Sequence, residues 1–490
     1  MTDFAFDNSY ARDLEGLWLK AMPAHAPLPQ LIRFNHALAR ELGVEAAGDN
    51  DDRLAARFCG NELPDGAQPL AMAYAGHQFG HFSPQLGDGR AILIGEVIDN
   101  SGKRRDIQLK GAGRTPFSRG GDGHSALGPV LREYLVSEFM HAAGVPTTRA
   151  LAAVATGDTV FRETEKPAAV FTRVAASHIR IGTFQFFAAR SDVASVKRLA
   201  DHAIARHYPD VAAAPQPYLP FFEAVCAAQA KLIAQWTGFG FVHGVMNTDN
   251  MAVSGQTIDF GPCAFMDHYD PHALFSSIDQ NGRYAFSNQP LIAQWNLARL
   301  AETLVPLMDE DQDKAVAALT AVLEGFPALF EAERLVVMRR KLGLNTAQDG
   351  DAELIKQLLD QMQLQSVDYT IAMRALAQVE NTEGRSSFAS LFADEQTVAA
   401  WLEEWTGRLA AEGSNPAVAS QIINAVNPAF IPRNHRIEEA IRAAEDSGDF
   451  TAFHRLADVL AAPFDDQPEH ADLQRPPSPE ERVTKTFCGT

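Results

Sequence analysis

The chain has 490 residues, enough for two or three domains around a large core, and its 46% apolar content is ordinary for a globular enzyme. Sixty-two acids against 42 Lys plus Arg give a formal charge of −20, which repels phosphate backbones and argues against nucleic acid as a partner. No apolar run approaches the roughly 20 residues that span a bilayer, so no membrane partner is expected.

The opening residues carry no basic n-region and no apolar h-region, which makes the cytoplasm the expected compartment. Residues 1–65 read as helix and loop, interrupted by Pro23, Pro27 and Pro29. From about 85 to 110 the pattern turns to β. A Gly-Asp-Gly turn at 87–89 precedes an apolar run from Ala91, and Asp106-Ile-Gln-Leu-Lys110 alternates polar with apolar. Alternation puts Asp106, Gln108 and Lys110 on one face, with Ile107 and Leu109 on the other. Pro129 opens a helix bearing Leu131, Leu135 and Phe139, and Gly144 with Pro146 ends it. Residues 150–175 return to β, with a hairpin predicted around Gly157-Asp158.

Beyond 176 helix dominates, with predicted spans at 218–237, 289–305, 353–363 and 434–461 and short β segments near 241–260. The stretch from Pro463 to Arg482 is rich in Pro and acids, and is expected to be exposed and weakly ordered. The whole reads as α+β: a β-rich lobe over 1–175, a mainly helical lobe over 176–462, and a flexible tail over 463–490. Of the four cysteines, Cys59, Cys226, Cys263 and Cys488, none forms a CxxC pair, which argues against structural zinc. Cys226 falls on the apolar stripe of a helix and reads as core.

The chemistry concentrates in 241–261, which contains His243-Gly-Val-Met-Asn-Thr-Asp-Asn250 and Ile258-Asp-Phe-Gly261. Short strands at 251–253 and 257–258, turned at Ser254-Gly255, bring Asn250 and Asp259 together. An amide oxygen beside a carboxylate suits Mg²⁺, and Mn²⁺ takes similar ligands. This pattern resembles the catalytic loop and metal motif of protein-kinase-like enzymes. Lys110 at a strand end, Glu133 on the next helix and the turn Gly87-Asp-Gly-Arg90 precede it in kinase order. One part is missing: Val245 stands where the kinase pattern has its catalytic aspartate. Asp249, beside Asn250, is the nearest replacement, and simple phosphorylation becomes doubtful.

Longer segments extend the resemblance. Tyr74-Ala-Gly-His-Gln-Phe-Gly-His81, Gln85-Leu-Gly-Asp-Gly-Arg90, Gln108-Leu-Lys-Gly-Ala-Gly-Arg-Thr-Pro116, Ser177-His-Ile-Arg-Ile-Gly-Thr183 and the 243–250 loop resemble the selenoprotein O family over nearly the whole chain. The resemblance implies a pseudokinase fold binding ATP in a flipped orientation, with AMP transferred to a hydroxyl of a protein substrate. It implies a Lys110–Glu133 ion pair, nucleotide contacts from Gly87, Gly89, Arg90, Asp122, Gly123, Arg173 and Arg180, metal ligation by Asn250 and Asp259, and Asp249 as proton acceptor. Arg173 and Arg180 would stabilise charge on the departing pyrophosphate. Asp249 beside a metal is expected to have a low pKa and to accept its proton late. The family pattern also implies redox control through the C-terminal residue. Cys488 would pair with the region after Asp-Phe-Gly, where Cys263 is the cysteine present.

Each assignment has a structural counterpart. Lys110 could face solvent, Glu133 could pair within its own helix, and Arg173 and Arg180 could be surface ion-pair partners. His77 and His81 have the spacing of a helical zinc pair, but Gly76 and Gly80 argue against a helix and a third ligand is lacking. His243 reads as a brace for the loop. The competing functions are other nucleotidyl transfer such as UMP transfer, phosphotransfer, and a silent nucleotide-binding module. Val245 speaks against phosphotransfer; the metal pair speaks against a silent module.

Overall fold

A computed structural model describes residues 4–44 and 48–487. Ten strands shape the first part of the chain: β1 (Trp18–Lys20), β2 (Gln30–Phe34), β3 (Leu70–Met72), β4 (Gly76–Gln78), β5 (His81–Ser83), β6 (Ala91–Ile98), β7 (Arg104–Lys110), β8 (Ser125–Ala126), β9 (Arg149–Phe161) and β10 (Glu165–Ala175). Seven of them pair in the order β1-β3-β6-β7-β10-β9-β2, and β8 adds to β10. Apart from the separate β4–β5 hairpin, the sheet is antiparallel throughout. The helix Leu127–Ala142 packs across β9 and β10. The α+β, protein-kinase-like two-lobed class is the observed one: a sheet-rich N-terminal region and a mainly helical C-terminal region.

The long β strands form because Val, Ile, Leu and Ala fill both faces of β6, β9 and β10, and the helices Asp51–Phe58 and Leu127–Ala142 pack against β9 and β10. Ile107 and Leu109 are fully buried on one face of β7, while Asp106, Gln108 and Lys110 face the cleft as alternation requires. One apolar cluster runs from this sheet through the helices Tyr218–Gly238 and Gln289–Met308. A second gathers Leu354, Leu358, Trp401 and Trp405 around the helices Asp351–Leu364 and Glu395–Ala411.

Several sequence expectations need correction. The strands β1 and β2 lie inside 1–65, a region read as helix and loop; only three and five residues long, they gain their pairing from distant β3 and β9. The β9–β10 turn falls at 162–164, after Phe161, instead of at Gly157-Asp158. Gly157 takes φ +81 within the strand, and a side chain there would also strike Leu28 at 2.6 Å, so only glycine fits. The predicted helix 434–461 is two helices, Asn434–Ser447 and Thr451–Leu460, separated where Gly448 adopts φ 67 and caps the first.

The segment after Pro463 is held in place. Arg433 donates to the Gln474 carbonyl at 2.8 Å, Arg455 pairs with Asp472 at 2.5 Å, and Thr486 bridges to Ser276. Among the described residues one helix, Gln312–Lys341, is long and apolar enough to cross a bilayer by length and composition. Its buried residues Ala315, Leu319 and Phe326 join the apolar cluster of the helices Tyr218–Gly238 and Gln289–Met308, while Met338 joins the second cluster.

Candidate active site

The strand β7 ends on Lys110, whose ammonium projects into the cleft. It donates to Glu133 at 2.5 Å, on the helix that crosses the sheet, and reaches Asp259 on the opposite wall. Glu133 also accepts from Arg173 at 3.0 Å, and Arg173 donates to Gln108 at 2.6 Å. Lys110, Glu133, Arg173 and Asp259 therefore form one ion network. Burial works against the Asp259 charge, but Lys110, then Arg173, and Arg90 nearby hold its carboxyl well below the usual carboxylate range. Asp259 keeps 35% of its side chain open to the cleft.

The 250–259 turn folds as Ser254-Gly255 suggested, with Met251 bridged to Thr257. Asp259 follows at φ 68, a left-handed conformation that Asp and Asn tolerate better than other side chains. Asn250 donates its amide to the Val245 carbonyl at 3.0 Å, so its oxygen is left available. Among the described residues no three His, Cys, Asp or Glu cluster as a metal cage. Two oxygen ligands are enough where Mg²⁺ takes the remainder from phosphates and water, so Asn250 and Asp259 fit that ion.

Asp249 sits deeper, 7% exposed, beneath the β4–β5 hairpin. Gln78 donates to its Oδ2 at 3.3 Å, while its Oδ1 is buried without a partner. Gly76 is required beside it, because a Cβ there would lie 2.3 Å from Oδ1. Burial pushes the carboxyl up to about 6, with a backbone hydrogen bond and Arg180 only partly offsetting it. Val245, in the position of the kinase base, is buried at 6% exposure and points no polar atom at the cleft.

The nucleotide-loop residues lie together. Gly87 has φ 67 and packs against Phe117, where a side chain would come within 2.2 Å. Thr115 donates to the Asp88 carbonyl at 2.6 Å and Ser118 to that of Gly89 at 2.5 Å, which folds the 113–123 segment onto the loop. Gly123 faces the Gly113 carbonyl, while Asp122 lies on the exposed rim, paired with Arg162 at 2.7 Å. Arg180 is buried, with its guanidinium 4.3 Å from the Tyr74 ring centroid and 3.7 Å from Asp88. Its Nε and the Asp88 Oδ1 have no hydrogen-bond partner. Arg173, by contrast, is committed to Glu133 and Gln108 and acts on the site through them.

His77 and His81 lie on the paired strands β4 and β5, and His77 meets Gln185 at 2.8 Å; they do not form a helical metal pair. His243 is buried, bonded to the Ile258 carbonyl at 3.0 Å and packed on Trp236. That is a brace for the loop. Cys226 is buried in its helix, and Cys488 lies outside the described residues.

Sequence reasoning missed Gln78, Tyr74 and Asp88, which touch or position the charged groups. It also missed a buried network behind the cleft, where Asp106 accepts from Arg206 at 2.5 Å and from His178 at 2.9 Å. Asp106 was placed on the correct face; its partners come from 178 and 206, which no local spacing connects.

The paired lobes, the strand lysine with its helix glutamate, and the hairpin aspartate opposite define a protein-kinase-like fold whose customary base is absent. Residues 1–461 match the family model described as protein adenylyltransferase SelO. Relatives named protein nucleotidyltransferase YdiU include one from Rhizobium meliloti, 57% identical over the full length of both chains. Those from Rhizobium etli and Cereibacter sphaeroides are 57% and 56% identical, each across 99% of this chain and at least 97% of their own. The chain belongs to the SelO family and is an enzyme of the nucleotidyltransferase class.

Proposed function

We propose that the chain transfers AMP from ATP onto serine, threonine or tyrosine hydroxyls of other proteins, using a pseudokinase cleft. The observation that carries this reading is the exchange of bases: Val245 is inert, while Asp249 presents a buried, unpartnered carboxylate oxygen beside Asn250. Burial raises the affinity of this carboxyl for a proton, which suits it to accept one.

In the step proposed, the acceptor hydroxyl oxygen forms a bond to the α-phosphorus. The bond from that phosphorus to the bridging α–β oxygen breaks, and pyrophosphate leaves. The hydroxyl proton passes to Asp249. Lys110, positioned by Glu133, binds phosphate oxygens, and Arg90 and Arg180 add fixed positive charge near the leaving group. The backbone at Gly87 and Gly89 allows close approach of the phosphates. Asn250 and Asp259 would hold Mg²⁺, which when bound neutralises phosphate charge.

The decisive measurement incubates the protein with ATP labelled at either the α- or the γ-phosphate. Label from the α position alone is expected on protein. Transfer of γ-label alone would mean a phosphotransferase.

A further inference from the structure

Next to Asp249 the protein carries a second feature that the transfer chemistry does not use. A cavity of about 520 Å³ opens between the segment following Asp259-Phe-Gly and the start of the Gln289–Met308 helix. Its walls include Phe79, Ile278, Arg283, Leu291 and Ile292. Ile278 and Leu291 are 52% and 63% exposed, a large apolar surface to leave uncovered at one spot.

The cavity is mechanically tied to the site. Phe79 directly follows Gln78, the residue that donates to Asp249. The Phe79 amide donates to Asn247 Oδ1 at 3.2 Å and to the Tyr284 hydroxyl at 3.1 Å. That hydroxyl in turn donates to Asn247 at 2.6 Å. The loop bearing Asp249 and the cavity wall are thus one hydrogen-bonded unit.

Its charge is unbalanced. Asp279, the acid on the wall, already accepts from the backbone amides of Arg283 and Tyr284 at 3.0 and 2.7 Å. The Arg283 guanidinium, 4.8 Å from the Trp295 ring centroid, pairs with no carboxylate among the described residues, and its Nε is buried without a partner. In a chain of net charge −20, a cation left uncompensated beside an apolar patch is complementary to an acid beside an aliphatic group.

Resting on the adenylyl-transfer reading, we propose that this cavity docks the acceptor protein through a short segment near the modified hydroxyl. That segment places a carboxylate on Arg283 and an aliphatic side chain on Ile278 and Leu291.

The test uses two synthetic peptide pools, each with a central serine and a leucine. In one, the flanking positions are Asp or Glu; in the other, Lys or Arg. Labelling from α-labelled ATP is measured, together with anisotropy of fluorescent versions binding to the full chain in the presence of a non-hydrolysable ATP analogue. The acidic pool is expected to be labelled and bound at least tenfold better. Arg283→Glu should invert the preference, and Leu291→Asp should weaken acidic-pool binding, with ATP affinity unchanged in both. Equal use of the two pools, or a preference that survives Arg283→Glu, would overturn the docking assignment. Selective binding of the acidic pool without α-label transfer would support the docking surface and sink the adenylyl-transfer reading.

Discussion

The ammonium of Lys110 reaches across the cleft to Asp259 while remaining within 2.5 Å of Glu133 behind it. One cation thus links the β-rich lobe to the metal-ligand candidate on the helical side. Removing it should leave Asp259 short of positive charge and the phosphates without their lysine. Lys110→Met is expected to lower transfer by about 10²–10³-fold, the usual loss for one preorganised donor. The fold should lose only about 1–3 kcal/mol, below the cost of orphaning a buried charge, because Arg173 still neutralises Glu133. Single-turnover labelling and denaturant titration would measure the two effects. Stability loss without a rate loss would make Lys110 purely structural.

Asp259 tests whether its charge or its backbone matters. Both Asp259→Asn and Asp259→Ala remove the carboxylate, and both are expected to abolish transfer. The residue sits at φ 68, which Asn adopts readily and Ala resists by roughly 1–2 kcal/mol. The alanine variant should therefore melt about 1–2 °C below the asparagine variant, with equal loss of activity. Residual transfer in Asp259→Asn above a few per cent would remove the carboxylate from the chemistry.

Much of the site was readable because strand alternation is a local signal. Lys110 and Gln108 follow from the period of two, and the 250–259 turn follows from Ser254-Gly255. Asp249 illustrates the limit. It lies under residues 76–78, about 170 positions earlier, and the burial that raises its carboxyl comes from that distant segment and not from its own loop. The β9–β10 turn failed for a related reason: a glycine-aspartate pair promises a hairpin, but contact with Leu28 made Gly157 a strand irregularity instead. Tertiary packing overrode turn chemistry in both the strand and the loop.

Lys341 offers a pH test away from the cleft. It is 3% exposed at the end of its helix, near the rings of Phe239 and Tyr369 at 5.4 and 5.5 Å, with no carboxylate paired to it among the described residues. Burial pulls its ammonium down to about 7 from 10.5. Because the folded value is depressed, the unfolded chain binds more protons between those limits, and folding stability should rise with pH across that window. The expected slope is on the order of 1.4 kcal/mol per pH unit from this group. Lys341→Met should be the more stable protein at pH 7, with the wild type narrowing the gap by about 2 kcal/mol at pH 9 and closing it only near pH 10.5. Parallel stability profiles in urea would show that the lysine stays charged, held by its aromatic neighbours.

The C-terminal segment returns to the catalytic region through Thr486, whose hydroxyl donates to the Pro262 carbonyl at 2.6 Å and whose amide donates to Phe275 at 2.7 Å. Pro262 immediately precedes Cys263, and Cys488 is two residues past Thr486, a chain reach of about 7 Å at most. A bond between the two cysteines is proposed from the family resemblance, and Cys263 is not a ready thiol. It is buried, its Sγ donates to the Phe260 carbonyl at 3.4 Å, and burial pushes it up to about 12. The attack should thus start at Cys488, which would first form a mixed disulfide with an oxidant such as oxidised glutathione. Cys263 would displace the glutathione thiol only when the segment opens, giving a slow second phase. Oxidised protein is expected to transfer AMP several-fold more slowly and to recover fully with dithiothreitol. Thr486→Val, which deletes the anchoring hydroxyl, should speed the second phase by exposing Cys263 more often. Peptide mapping without reductant should find Cys488 joined to Cys263 after the slow phase. A mixed disulfide that never resolves, or an unchanged redox response in Cys263→Ser, would rule the bond out.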